Sequence, residues 1–430
     1  MEVKRPPGGR RTIRTVRFGH EILRQADELA CFTEDAPRLT RRYLTPQHRQ
    51  AGNHLLGLMR EAGMDAGFDA LGNVVGRYRA AAPDAPVVMS GSHMDSVRNA
   101  GRYDGLFGVL SAVACVRDLS SRGRRLPFTF EVVAFGDEEG VRFGVTLIGS
   151  RAMAGTFDPA WLEVKDADGI SLREALAAFG GDPDGWRTLD RRGSGVVAYV
   201  ESHIEQGPVL LNAGLPVGVV TAIAGGSRIR VTVGGLAGHA GTVPMGARRD
   251  ALAAAAEMTL AVERIASAPG RDGAALVGTV GVIEARPGAI NVIPQDVVFT
   301  VDLRSSSDDA RRAAVTELRE AVAAIARRRR VEAGFDEFYR FAAAPCDAGL
   351  QDALAAAITR QRVPVRRLAS GAGHDAMVFP PLCPTAMLFV RCGANGISHH
   401  PDETMTADDA EIATAVLLDF LEHHDPRGSK

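Results

Sequence analysis

Thiol chemistry has almost no foothold in this chain. Five cysteines, Cys31, Cys115, Cys346, Cys383 and Cys392, are scattered, odd in number and never spaced as CxxC. That excludes a disulfide framework and a cysteine-type zinc site, fits a reducing cytoplasm, and leaves them the role of buried filler. Long apolar runs are missing too. No stretch approaches the ~18–20 residues a membrane helix needs. Charge of one sign is not in excess either. The formal net charge is −2, so bulk electrostatics give no reason to expect nucleic acid or an anionic membrane as partner. The start, MEVKRPPGGRRTIRTVRFGHEILRQADELA, is basic but lacks the apolar core of a secretory signal. Its Glu2, Glu21 and Asp27 also argue against a transit peptide.

What is present suffices for more than one core. Single cores stop growing near ~250–300 residues, so 430 residues predict two domains. Helical spacing is expected over 20–31 and 45–63, with Thr45-Pro46 as cap and first turn. GNVVGRYR (72–79) and APVVMSGS (85–92) read as strands. GLFGVLSAVACVRDLSSRG (105–123) reads as a buried helix that Gly123 can close, and PFTFEVVAFGDEEG (127–140) as a strand ending in acids. This alternation predicts an α/β layer with parallel pairs, whose ligands sit beyond the carboxyl ends of the strands. After residue 213 the order becomes β-α-β-β-α-β, a ferredoxin-like unit. We therefore expect a domain of residues 214–341 inserted into a larger one made of 1–213 and 342–430. RRRR (327–330) is read as a solvated helix end.

Chemistry concentrates in a few polar, glycine-bearing segments. Four of the eleven histidines lie in them: His93 in GSHMDS, His203 in ESHIEQGP, His239 in GLAGHAGTVP and His399 in GISHHPDE. A fifth, His374, stands in SGAGHDAM. His93, His203 and His399 can join Asp104 and Glu139 in a mixed nitrogen and oxygen donor set, which suits zinc or a similar divalent ion. Asp95, two residues after His93 and pointing the same way along a strand, is expected to accept the other ring N–H. Of Glu138 and Glu139, one is expected to bind metal and the other to take a proton from water. From the residues alone, which does which stays open. Arg304 is a natural fork for a carboxylate, although its spacing also fits a surface arginine.

The ordered motifs GSHMDSVRNAGRYDG, FGDEEGVRF, HIEQGP, AGHAGTVPM, NVIP, SGAGHDAM and GISHHPDE resemble those of the allantoate amidohydrolase and N-carbamoyl-L-amino-acid hydrolase family, within the clan of dinuclear zinc peptidases. The resemblance runs from about residue 20 to 425. It implies a zinc-peptidase-like α/β domain with a mixed central sheet flanked by helices, and an inserted ferredoxin-like lid that dimerises. It implies two divalent ions per subunit (Zn, or Mn, Co or Ni). His93, Asp104 as a bridge, and His203 would form one site, and Asp104, Glu139 and His399 the other. Glu138 would be the general base. Gln206, His239, Asn291 and Arg304 would contact substrate, with His239 also serving catalysis and some contacts reaching across a homodimer. Asp95 and His374 would support the ligands from behind. Departures are small: Asp137 stands where a third Glu is common, and Gly144 where Pro is frequent. The implied activity is hydrolysis of a ureido C–N bond in a cytoplasmic enzyme with a small ureido acid as substrate. Allantoate, and with it purine catabolism, is expected first, then an N-carbamoyl-L-amino acid or 3-ureidopropionate. A dipeptidase or aminoacylase on the same metal pair is the alternative class.

Overall fold

The computed structural model describes residues 17–268 and 276–426. The basic start of the chain, residues 1–16, lies outside them. Two helices, α1 (Gly19–Ala30) and α2 (Pro46–Glu61), precede β1 (Asp65–Phe68) and β2 (Val74–Tyr78). Thr45 caps α2, accepting a hydrogen bond from His48 N at 3.3 Å. Next come β3 (Val87–His93), α3 (Leu106–Ser121) and β4 (Thr129–Phe135). Then follow α4 (Ile148–Met153), α5 (Leu172–Phe179), β5 (Val196–Ile204), α6 (Val209–Ala213) and β6 (Val217–Ile223). The middle of the chain forms β7 (Gly225–Gly234), α7 (Ala251–Ser267), β8 (Leu276–Arg286), β9 (Asp296–Ser305), α8 (Asp308–Arg329) and β10 (Glu332–Phe341). The chain closes with β11 (Ala344–Pro345), α9 (Ala348–Arg360), β12 (Arg367–Ser370), β13 (Thr385–Val390) and α10 (Ala407–His423).

Two sheets organise these elements. The larger is mixed, in the order β1-β2-β4-β3-β5-β13-β6-β11, with β12 paired to β6. At its centre β4, β3, β5 and β13 all run parallel. These strands and α3 are apolar on nearly every side because both faces are covered. The smaller sheet is antiparallel, in the order β10-β7-β9-β8, with α7 and α8 packed on one face over a separate core. The expected β-α-β-β-α-β order is therefore seen in residues 225–341. Val217–Ile223, inside the 214–341 segment, pairs instead within the larger sheet. VGVVTAI is buried on both sides, which suits an interior position there. The Arg327–Arg329 run is the last turn of α8, with Arg328 and Arg329 on Glu257. Four cysteines are buried as expected, but Cys31 is exposed. It follows the last turn of α1, where no other element covers it.

Close approach of α3 to the sheet rests on Gly108. A Cβ there would penetrate the Ser202 carbonyl of β5 and lie 2.9 Å from Ser92 Cβ of β3. Gly108→Ala gains up to about 1 kcal/mol of helix propensity, but forced overpacking costs about 1–3 kcal/mol. The obstacle is backbone, so the cost wins. Denaturant titration should show a variant less stable than the parent; a more stable one would mean that α3 has room to shift off β5.

Candidate metal centre

Parallel strands deliver the site to one edge. His93 is the last residue of β3, and His203 stands one residue before the end of β5. Glu138 and Glu139 follow β4, Asp104 opens the turn into α3, and His399 sits in the loop between β13 and α10. Three imidazoles converge on Asp104. Its Oδ1 lies 3.3 Å from His203 Nε2 and 3.8 Å from His93 Nε2, and its Oδ2 lies 3.1 Å from His399 Nε2. His399 Nε2 is also 3.4 Å from Glu139 Oε1. Among the described residues, four triplets have ligand atoms mutually within 4.8 Å: His93, Asp104, His203 and Asp104, Glu139, His399 share Asp104, and the others are His93, Glu138, Glu139 and Glu201, His203, His374.

Orientation of the rings gives the fit test for a cation. His93 Nδ1 is 3.1 Å from the Asp95 carbonyl and His203 Nδ1 is 2.8 Å from the Ile204 carbonyl. A carbonyl only accepts, so each Nδ1 carries hydrogen and, in the neutral ring, each Nε2 presents a lone pair. Those lone pairs aim at a carboxylate. Only a proton or a metal ion between them relieves the repulsion, and neutral imidazole with carboxylate is a divalent-metal donor set.

The titration pattern has the same cause. Burial works to lower the His93 pKa, but Asp104, Glu138 and Asp95 together hold it well above the usual imidazole value. Burial likewise pushes Asp104 up, and the facing histidines more than reverse this, holding it well below the usual range. His203, buried beside the charged His93, falls to about 4, whereas Asp104 raises His399 to about 8. Burial and the neighbouring carboxylates push Glu138 well up and Glu139 to about 7.

One expected contact is corrected. The ring N–H of His93 goes to the backbone carbonyl of Asp95, and the Asp95 carboxylate stands 3.6 Å from that nitrogen. The strand ends at His93, so the alternation that would aim residue 95 beside residue 93 stops there. The carboxylate instead accepts the backbone N–H of Glu138 and of Glu139, each at 3.2 Å. Asp95 thereby holds the turn that presents both glutamates. His374 is buried with its ring 4.4 Å from the His203 ring, and its Nε2 meets Ser370 Oγ at 2.8 Å. Gln206 Nε2 donates to both Asp104 oxygens at 3.1 Å.

The remaining expected contacts lie in the smaller sheet and its loops. His239 and Asn291 come together, with Ala240 N donating to the Asn291 carbonyl at 2.9 Å and residue 239 bridged to Val292. Both are exposed, and neither forms a hydrogen bond or ion pair with the five-residue cluster. Arg304 grips Asp302 at 3.0 and 3.3 Å and donates Nη1 to the Gly371 carbonyl at 3.1 Å, in the loop leading to His374. Of the buried acids that escaped the sequence reading, Glu201 and Glu403 bond to elements that carry the centre. Glu201 accepts from Ser92 Oγ, Tyr199 OH and Ala376 N at 2.7, 3.2 and 2.8 Å. Glu403 accepts from Tyr103 N and Asp104 N. Both stand inside motifs already singled out, ESHIEQGP and GISHHPDE, and that was the available signal.

Fold and donor set together define a hydrolase-like α/β scaffold with a divalent-metal site at the end of its parallel strands. Comparison with known proteins sharpens this. The model of peptidase family M20/M25/M40 matches residues 89–423. An N-carbamoyl-L-amino acid amidohydrolase of Geobacillus stearothermophilus is 43% identical over 88% of this chain and 91% of its own. An allantoate deiminase of Arabidopsis thaliana is 39% identical, covering 94% and 82%. The crystal structure of an amidase of the hydantoinase/carbamoylase family from Burkholderia multivorans superposes with a TM-score of 0.87, at 33% identity, over 94% and 97%. The chain belongs to peptidase family M20/M25/M40, and with its amidohydrolase relatives it is an enzyme acting on C–N bonds.

Loading a divalent cation must expel protons. At pH 7 protons sit on His93, whose pKa is raised well above the usual imidazole value, and on His399, raised to about 8, and Glu139, pushed up to about 7, shares in them. All three must be free of the proton to become ligands. Titration calorimetry with zinc in two buffers of different ionisation enthalpy should therefore show release of about one proton or more per chain at pH 7. Identical heats in both buffers would contradict the charge state described.

Proposed function

We propose that this enzyme hydrolyses the carbamoyl C–N bond of a small ureido acid, with two divalent cations held by His93, Asp104, Glu139, His203 and His399. The observation that carries the reading is the sharing of Asp104 by two ligand triplets. One buried carboxylate with imidazoles on both oxygens is what a bridge between two cations requires. When bound, such ions supply Lewis acidity and bring the pKa of a coordinated water from 15.7 to roughly 7.

The chain's own groups do the rest. Glu138, its backbone fixed by Asp95, takes the proton of the attacking water and returns it to the leaving nitrogen. His239 donates to the oxygen that gains charge at the carbamoyl carbon. The carbamoyl fragment leaves as ammonia and carbon dioxide. Arg304, already oriented by Asp302, receives the substrate carboxylate as a fork, with Asn291 and Gln206 as further contacts. His239 and Asn291 reach the reacting group across a homodimer built by the small sheet. Support for that assembly is β8, an eleven-residue edge strand with Val277, Val282 and Ile283 exposed. A long apolar edge of this kind is a template for pairing.

A ureido nitrogen on the carbon that bears the carboxylate is common to N-carbamoyl-L-amino acids and allantoate. The 43% identity to an N-carbamoyl-L-amino acid amidohydrolase favours the former. Allantoate, expected first from the motifs, is supported by relatives named allantoate deiminase at 37–39%. The deciding measurement is turnover of the metal-reconstituted enzyme on several N-carbamoyl-L-amino acids, allantoate, 3-ureidopropionate and a dipeptide, with ammonia as readout for the ureido acids. Ammonia from a ureido acid is the expected result; turnover of the dipeptide alone would overturn the substrate class. His239→Ala should lower kcat by about 10²–10³ while leaving the melting temperature unchanged. Near-parental kcat in that variant would remove His239 from the reaction.

A further inference from the structure

Asp104 and His399 belong to segments almost 300 residues apart, yet a metal site tolerates only about 0.5 Å of misplacement. Gln206 Nε2 and Ser398 Oγ reach the Asp104 carboxylate directly, at 3.1 and 3.4 Å, but neither holds the backbone of the turn that carries it. Glu403 is 3% exposed. Its Oε1 accepts the backbone N–H of Tyr103 at 2.8 Å and of Asp104 at 3.2 Å. Its Oε2 accepts the Ser398 hydroxyl at 2.7 Å. One carboxylate thus joins the turn that carries Asp104 to the loop that carries His399. The turn is moulded to it, since a Cβ on Gly101 would run into the Glu403 carboxyl group. On the other side His399 has φ +56°, a left-handed conformation that a non-glycine residue keeps only when its surroundings impose it.

We infer that Glu403 is a positioning residue that sets the distance between Asp104 and His399 and so builds the cation site they share. The inference rests on the metal reading above. Among the described residues Glu403 forms no hydrogen bond or ion pair with the converging ligand atoms; it acts through two backbone amides and one hydroxyl. Its loss lets the two loops separate while each keeps its own fold. Supporting partners of metal ligands typically contribute 10–100-fold in affinity.

The test compares the parent with Glu403→Ala, Glu403→Gln and Ser398→Ala by titration with zinc or manganese against a competing chelator, alongside melting curves and steady-state kinetics. Glu403→Ala should bind one of two cations about 10–100-fold more weakly. Its kcat should fall at limiting metal with KM close to the parent's, and recover as metal is raised. Glu403→Gln keeps an acceptor for the amides but offers Ser398 an amide N–H₂, so it should fall between. Ser398→Ala should show the same weakening to a smaller degree. A folded Glu403→Ala with the parental isotherm, or a loss that excess metal does not restore, overturns the inference. If Glu403→Ala does not fold, a parental isotherm in Glu403→Gln overturns it, and a weakened one supports it. A parent chain that binds no divalent metal overturns the metal reading itself, and this inference with it.

Discussion

Four carboxylates, those of Asp95, Asp104, Glu138 and Glu139, are packed at one edge of the central sheet, and among the described residues no lysine or arginine forms an ion pair with any of them. Burying ionised carboxylates without compensation is costly. Arg41 is fully buried nearby, but it spends its N–H groups on the carbonyls of Met94 and Leu29, at 2.7 and 2.8 Å. Burial lowers its pKa to about 10, with Asp95 opposing. The positive charge this cluster needs must come from protons or from a cation, and the three convergent imidazoles make a cation the better partner. Much of the surrounding structure can be read as the means of holding these groups against their mutual repulsion.

Backbone geometry carries part of that load. Gly105, next to Asp104, has φ +68°, and a Cβ there would lie 2.5 Å from the His93 carbonyl and 2.6 Å from its ring. Only glycine lets the turn lie flat on the imidazole. Asp137, Gln206 and His399 are left-handed without being glycine, at φ +62°, +54° and +56°. Each adjoins a residue of the centre or is one, and each such conformation costs about 1–3 kcal/mol. Specific bonds hold two of them: Leu147 N on the Asp137 carbonyl at 2.6 Å, and Gln206 N on Cys392 Sγ at 3.3 Å. Cys392 is therefore more than filler, since its sulfur is the acceptor for a strained amide.

Local signals in the sequence were read well. Thr45 capped its helix, GSH and DEE stood at strand ends, and the β-α-β-β-α-β order followed from periodicity. Long-range pairings were not legible. VGVVTAI reads equally well as a strand of either sheet, and only its pairing with β13 decides. Asp95 was aimed by a rule that holds inside a strand, but the strand had ended two residues earlier. Glu403 acts on amides 300 positions upstream, a relation that no spacing pattern encodes. The ligand types were visible because metal chemistry restricts them to few residues. The groups that position them were not, because any acceptor of suitable reach can serve.

Substrate choice among ureido acids then becomes a question of where the polar groups stand. α- and β-ureido acids differ by one methylene, and a pocket distinguishes one methylene by only about 10–200-fold. Charge alone does no better, because Arg304 and Asp302 form a nearly neutral pair before any carboxylate arrives. In the proposed reading an incoming carboxylate would share Arg304 with Asp302 or displace it. Arg304 also donates to the Gly371 carbonyl, so its position is tied to the loop that leads to His374. In the proposed reading the spacing between the fork and the Asp104 centre is therefore set jointly by the two sheets. A substrate whose carboxylate and carbamoyl group do not match that spacing leaves Arg304 with Asp302 and the Gly371 carbonyl and forgoes the fork's bonds to its carboxylate.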